Sequence, residues 1–232
     1  MECYGQAPGF FGKLPSHGDF VGRRLPPEVR QCLDDWLQRA LVHSKAVLGP
    51  AWLATWGSSP IWRFVIGAGV CGEQAWAGVM MPSADRVGRC FPLLLLAAID
   101  GTPALHACLT QYDGWFAALE EVALSALDRD FSLERFDTGL SALNAAPPEG
   151  AVGGCMTVSS TGSGQAQVCP LAPWTGAVPP LAGLSLDGCS AWWSNGSPDV
   201  AATLAVCDGL LRPVEFVALL NGRWSEHGWT FR

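Results

Sequence analysis

Residues able to do chemistry concentrate in two short stretches. The first is Gly9-Phe10-Phe11-Gly12-Lys13-Leu14-Pro15-Ser16-His17-Gly18-Asp19, which brings Lys13, Ser16, His17 and Asp19 within a few positions of one another. A glycine-rich run before a lysine suggests a phosphate loop, but that motif needs a glycine where Ala7 stands and a Ser or Thr where Leu14 stands. Ser16, His17 and Asp19 are the residue types of a hydrolytic triad. Neighbours in sequence rarely align as nucleophile, base and orienting acid, and the Gly-x-Ser-x-Gly elbow is absent. A turn is the simpler reading, with Pro15 fixing one dihedral, Gly18 supplying a positive one, and Ser16 or Asp19 capping amides.

The second stretch is Pro82-Ser83-Ala84-Asp85-Arg86-Val87-Gly88-Arg89. Ser83, Asp85, Arg86 and Arg89 suit a buried ion-pair network that holds a turn, with bidentate binding of a carboxylate or phosphate by the arginines as the alternative. Arg63, in Pro60-Ile61-Trp62-Arg63-Phe64, is a candidate member of that network. The four histidines, His17, His43, His106 and His227, have no metal-ligand spacing, and no metal or cofactor is expected.

These stretches need a scaffold. Val29, Cys32, Leu33, Trp36, Leu37, Ala40, Leu41 and Leu48 recur at helical spacing, so a helix is predicted over Glu28 to Leu48, with Pro27 in its first turn and Gly49-Pro50 at its end. Ile61 to Val70 and Gln74 to Met81 read as strands joined by Cys71-Gly72-Glu73 in a hairpin. Phe91 to Ile99 is apolar on both faces, as in a strand at the centre of a sheet covered on both sides. Helices are predicted over Ala104 to Leu127, Leu133 to Leu143 and Pro213 to Leu220, and short strands over Cys155 to Ser159, Ala166 to Cys169 and Ser190 to Ser194. Trp36, Trp62 and Trp115 lie on apolar stripes, whereas in a strand Trp192 and Trp193 point to opposite faces and one is expected at the surface. A Gly-, Pro- and Ser-rich, charge-poor segment spans 145–186.

With 232 residues, 49% of them hydrophobic, the chain can bury a substantial core, and one domain over 1–232 is expected. A net charge of −7 disfavours nucleic acid and anionic membranes, and no apolar run approaches the roughly 20 residues of a membrane-spanning helix. The start of the chain has no export signal, so a cytoplasmic location is expected and the nine cysteines are expected to be reduced, mostly as small core residues.

Taken together, Gly9 to Val21, Arg24-Leu25-Pro26, Asp35-Trp36-Leu37, Pro60 to Phe64 and Gly78 to Leu93 closely resemble the TagF (ImpM) family of bacterial type VI secretion. The resemblance is dense over the first half of the chain and looser beyond, through Trp115 and Trp192-Trp193. It implies a three-layer α/β sandwich, a central mixed sheet with helices on both faces. It also implies a cytoplasmic accessory protein that represses secretion after translation by engaging the forkhead-associated scaffold protein of the system, in a stand-alone form without a fused phosphatase. The family offers no catalytic residues to carry over, so a non-enzyme is expected. The competing expectation is a hydrolase or phosphoester-binding enzyme using His17, Asp19 and the Ser83–Arg89 turn. The 12–19 loop is expected to clasp that turn, with Asp19 rather than Lys13 carrying the stability.

Overall fold

The computed structural model describes residues 7–99, 105–143, 166–171 and 186–231. Among these residues, nine strands form one sheet: β1 (Gly9–Gly12), β2 (Val21–Arg23), β3 (Trp62–Ile66), β4 (Ala75–Met81), β5 (Leu93–Ile99), β6 (Gln167–Pro170), β7 (Cys189–Ser194), β8 (Thr203–Asp208) and β9 (Thr230–Phe231). Their order is β2-β1-β5-β4-β3-β7-β8-β6-β9. Every pairing is antiparallel except the parallel β6 and β9, so the sheet is mixed. The helices are α1 (Pro27–Leu48), α2 (Trp52–Ser58), α3 (Leu105–Thr110), α4 (Asp113–Ser125), α5 (Leu133–Ala142) and α6 (Pro213–Asn221).

Strand geometry sends alternate side chains to opposite faces, and here each face has its own core. Along β5, Leu94 and Leu96 enter the core shared with α1, α2 and α6, whereas Leu93, Leu95 and Ala97 enter the core shared with α3, α4 and α5. Along β7, Trp192 packs on Trp36 of α1 and Trp193 on Phe116 of α4. The result is a three-layer α/β sandwich. Both tryptophans are buried, so the expectation that one reaches the surface fails: with helices on both sides, opposite faces are both interior.

Predicted boundaries hold where periodicity is long. Helix α1 runs as expected, with Pro27 in its first turn. The 49–50 stop is followed by a 3-10 turn (Gly49–Ala51) and then α2, a helix too short to show a period. Strand β3 ends at Ile66 rather than Val70. Gly67 leaves the hairpin to donate its amide to Cys189, and a Cβ there would lie 1.7 Å from the Leu186 carbonyl oxygen. The connection to β4 is therefore the longer loop 67–74. The single helix predicted over 104–127 is two, interrupted at Gln111 and Tyr112, where Tyr112 leaves helical geometry and α4 begins anew at Asp113. The strand predicted over 155–159 lies outside the described residues.

The expectation of reduced thiols is corrected at one pair, because Cys32 of α1 and Cys71 of the 67–74 loop form a disulfide with Cα atoms 5.8 Å apart. Cys108, Cys189 and Cys207 are buried free thiols. Burial pushes the Cys108 and Cys207 thiols up to about 12, which keeps them protonated and inert.

Gly78 sits where β4 and β5 touch, and a Cβ there would lie 2.1 Å from the Leu95 carbonyl oxygen. Gly139, inside α5, faces open space. Gly78→Ala is expected to destabilise by about 3 kcal/mol through overpacking, and Gly139→Ala to stabilise by about 0.5–1 kcal/mol through helix propensity; urea unfolding midpoints of the two variants check both signs.

Candidate functional site

The two chemistry-bearing stretches meet at one end of the sheet. Strand β1 delivers the 13–20 loop beside the 82–92 turn because Gly12, with a φ of 146°, passes so close to Pro92 that a Cβ would lie 2.1 Å from its carbonyl oxygen. The loop and the turn then bond reciprocally. Ser83 Oγ donates to the Lys13 carbonyl at 2.7 Å, the Arg86 amide to the His17 carbonyl at 2.8 Å, and Arg89 Nη2 to the Gly18 carbonyl at 2.5 Å. Trp56 of α2 donates its indole N–H to the Ser83 carbonyl, which ties the helical layer into the same clasp.

At its centre Lys13 Nζ and Asp85 Oδ2 are 2.8 Å apart, and the two side chains are 8% and 0% exposed. The carboxylate also accepts from the Val87 and Arg89 amides and from Arg89 Nε. Burial pushes the Asp85 carboxyl up. The Lys13 ammonium, the Arg89 amide and guanidinium and the Val87 amide together outweigh it and hold Asp85 well below the usual carboxylate range. The roles expected for Lys13 and Asp19 are therefore exchanged. Lys13 is the buried member, and Asp19 is exposed, accepting only from the neighbouring Phe20 amide.

Arg63 does not join this network. It lies on β3, on the face opposite Trp62, so it meets α4 and makes a bidentate contact with Glu120 at 2.7 and 3.0 Å and a further one with Asp113 at 2.5 Å. Burial opposes the charge of Arg63, but the two carboxylates more than offset it, and its pKa is raised. Its work is to pin α4 to the sheet.

The reactive residue types are thus mostly engaged with one another. Ser16 Oγ lies 2.8 Å from His17 Nδ1, yet Asp19 points to a backbone amide rather than to the imidazole, and the ring packs edge-on to Phe131. Among the described residues no group of three or more His, Cys, Asp and Glu side chains could hold a metal ion, and no helix is long and apolar enough to cross a membrane. What the clasp presents to solvent is an apolar and basic edge. Phe20 is 42% and Val87 68% exposed, and Arg86, next to Val87, is exposed with no ion pair among the described residues. Phe20 is held firmly, its ring stacked on Phe11, edge-on to Phe91 and 5.2 Å from Lys13 Nζ. Sequence reading missed Phe20 and Val87 as surface groups, since an isolated apolar residue in a loop carries no periodicity to signal exposure.

Residues 9–143 match the TagF N-terminal domain, described as type VI secretion system-associated. The crystal structure of PA0076 from Pseudomonas aeruginosa PAO1 is similar, with 34% sequence identity and a TM-score of 0.74 over 94% of this chain and 95% of that one. No curated protein matches the chain.

Substituting Lys13 by Met takes the ammonium from the buried Asp85 carboxylate and leaves it only Arg89 and two amides, and a loss of about 3 kcal/mol is expected. Because folding depresses the Asp85 pKa, the unfolded chain takes up that proton first on acidification. The stabilisation is complete above the ordinary carboxylate pKa and declines as pH falls toward the folded value. The urea midpoint of the native protein should therefore drop between roughly pH 5 and pH 2, and that of Asp85→Asn should drop less over the same interval.

Proposed function

Since the chain belongs to the TagF family of type VI secretion-associated proteins, we propose that it is a cytoplasmic negative regulator of that system, acting after translation by binding its forkhead-associated scaffold protein and not by catalysis. The observation that carries this reading is the clasp. Two loops from distant parts of the sequence are locked by a buried ion pair, and the locked edge holds out Phe20, Val87 and Arg86. Rigid aromatic, apolar and arginine side chains at a surface are what protein interfaces use as anchors, because little conformational entropy is lost when they are covered.

The state of the reactive residues supports binding over turnover. Lys13 and Arg89 are both engaged by the Asp85 carboxylate. Ser16 and His17 touch without an acid to orient the imidazole, and a hydrolytic triad draws its power from that third group. Repression by binding also needs no cofactor, only a surface whose shape persists when the partner leaves.

Arg86→Glu with Val87→Asp is expected to weaken binding to the scaffold protein of the same organism at least about tenfold, the loss of one good anchor, without lowering the melting temperature by more than a degree or two, since both side chains are exposed. Calorimetric titration measures the first and thermal unfolding the second. In cells, removing the chain should raise the amount of secreted tube protein, and the double variant should fail to restore repression; binding and secretion that ignore both changes would sink the proposal.

A further inference from the structure

The disulfide between Cys32 and Cys71 stands against the cytoplasmic location proposed above. Disulfides are rare where glutathione keeps thiols reduced, and those that form there are mostly transient and redox-sensing. The bridge also lies apart from the clasp. Residues 67–74 join β3 to β4 at one end of the sheet, whereas the 82–92 turn that carries Asp85 joins β4 to β5 at the other.

The two cysteines belong to elements of unequal freedom. Cys32 sits on the 22-residue helix α1, fixed by Leu33, Trp36 and Leu37 in the core it shares with α2 and α6. Cys71 sits in a loop fastened mainly at its entrance, where the Gly67 amide donates to the Cys189 carbonyl at 2.8 Å and the Gly188 amide to the Ala68 carbonyl at 3.0 Å. Further along, the Gly69 amide donates within the loop, to the Gly72 carbonyl at 2.8 Å, and strand pairing resumes at Ala75. Gly69, Gly72, Glu73 and Gln74 are exposed. The sulfur bridge, with buried Cys71 and half-buried Val70 packed beside it, ties this segment to α1. Cys32, unlike Cys71, is only half-buried, so one end of the bridge is near solvent.

We propose that Cys32 and Cys71 form a redox-sensitive clip. Closed, it pins the 69–74 segment to α1; open, it frees that segment and shortens the life of the folded chain, so the amount of protein follows the thiol poise of the cell. Glutathione disulfide is the oxidant. One cysteine thiolate attacks it to give a mixed disulfide and one glutathione, and the other cysteine thiolate attacks the protein sulfur of that mixed disulfide and releases the second glutathione. Two electrons and two protons pass from the two thiols to glutathione disulfide, and excess glutathione reverses the exchange. The cysteines are 39 positions apart, so closing the bridge removes much freedom from the unfolded chain. A chain that unfolds more readily is cleared faster in cells. That cellular consequence rests on the cytoplasmic reading; the exchange itself does not.

Equilibrating the purified chain in millimolar glutathione, trapping free thiols with a maleimide and mapping the peptides reads the pair directly. It should be mostly bridged at a ratio of reduced glutathione to its disulfide of about 1:1 and mostly open at about 1,000:1. Opening should speed amide hydrogen exchange over 69–74 by about tenfold or more while leaving 86–89 unchanged, and should lower the melting temperature by about 10 °C. Cys32→Ser should match the reduced native chain in every buffer; the reduced native chain makes the same comparison without a substitution, should the variant fold poorly. In cells with synthesis blocked, the thiol oxidant diamide should lengthen the half-life of the native chain and not that of Cys32→Ser. A pair that stays bridged at 1,000:1 or open at 1:1, equal exchange over 69–74 in both states, or a half-life indifferent to diamide would each overturn the proposal. Failure of the scaffold protein to bind in either redox state would bear on the proposed function alone and leave the thiol titration standing.

Discussion

Both faces of the central sheet are dry, and much of the remaining architecture answers to that constraint. A strand buried on one side can place polar residues on the other, but β4, β5 and β7 have no such outlet, so their side chains feed two separate cores in alternation. Bulk is distributed accordingly. The α1, α2 and α6 layer takes most of the tryptophans, whereas leucines and phenylalanines are shared between the two cores. Where two strands approach with no room between them, glycine is required, as at Gly78 against Leu95.

Charges that enter such an interior must arrive with partners, and two of the buried charges meet that demand by different means. Arg63 is carried into the second core by strand alternation and is met by two carboxylates from α4, so one pairing fastens a helix to the sheet. Asp85 enters between two loops and is met by an ammonium, two amides and a guanidinium, which fastens the loops to each other. Breaking either contact would strand a buried charge, so both act as locks rather than as small increments of stability. The Cys32–Cys71 disulfide adds a third tie, between α1 and the loop that replaces the expected tight hairpin.

The locks bear on function because they decide which surface is constant. An edge built from two loops would ordinarily be among the least stable parts of a fold. Here it is anchored at its base by a buried ion pair, by Trp56 and by the packing of Phe11, Phe20 and Phe91. Under the proposed binding role, a partner meets a pre-formed shape.

The sequence by itself determined the long helix α1, the doubly buried β5, the layered α/β class and the family, since each of these is written in local periodicity or in contiguous motifs. It also determined that Gly12 to Asp19 and Ser83 to Arg89 are turn segments rich in groups that hold turns. Only the tertiary structure decided which of those groups is buried. Lys13 and Asp19 are oppositely charged members of one loop, and the loop alone does not say which of them is buried; Asp85, distant along the chain, takes Lys13 as its counter-ion at 2.8 Å. The same holds for Arg63, whose partners come from α4, and for Cys32 and Cys71, because pairing is a property of contacts between distant segments rather than of spacing along one.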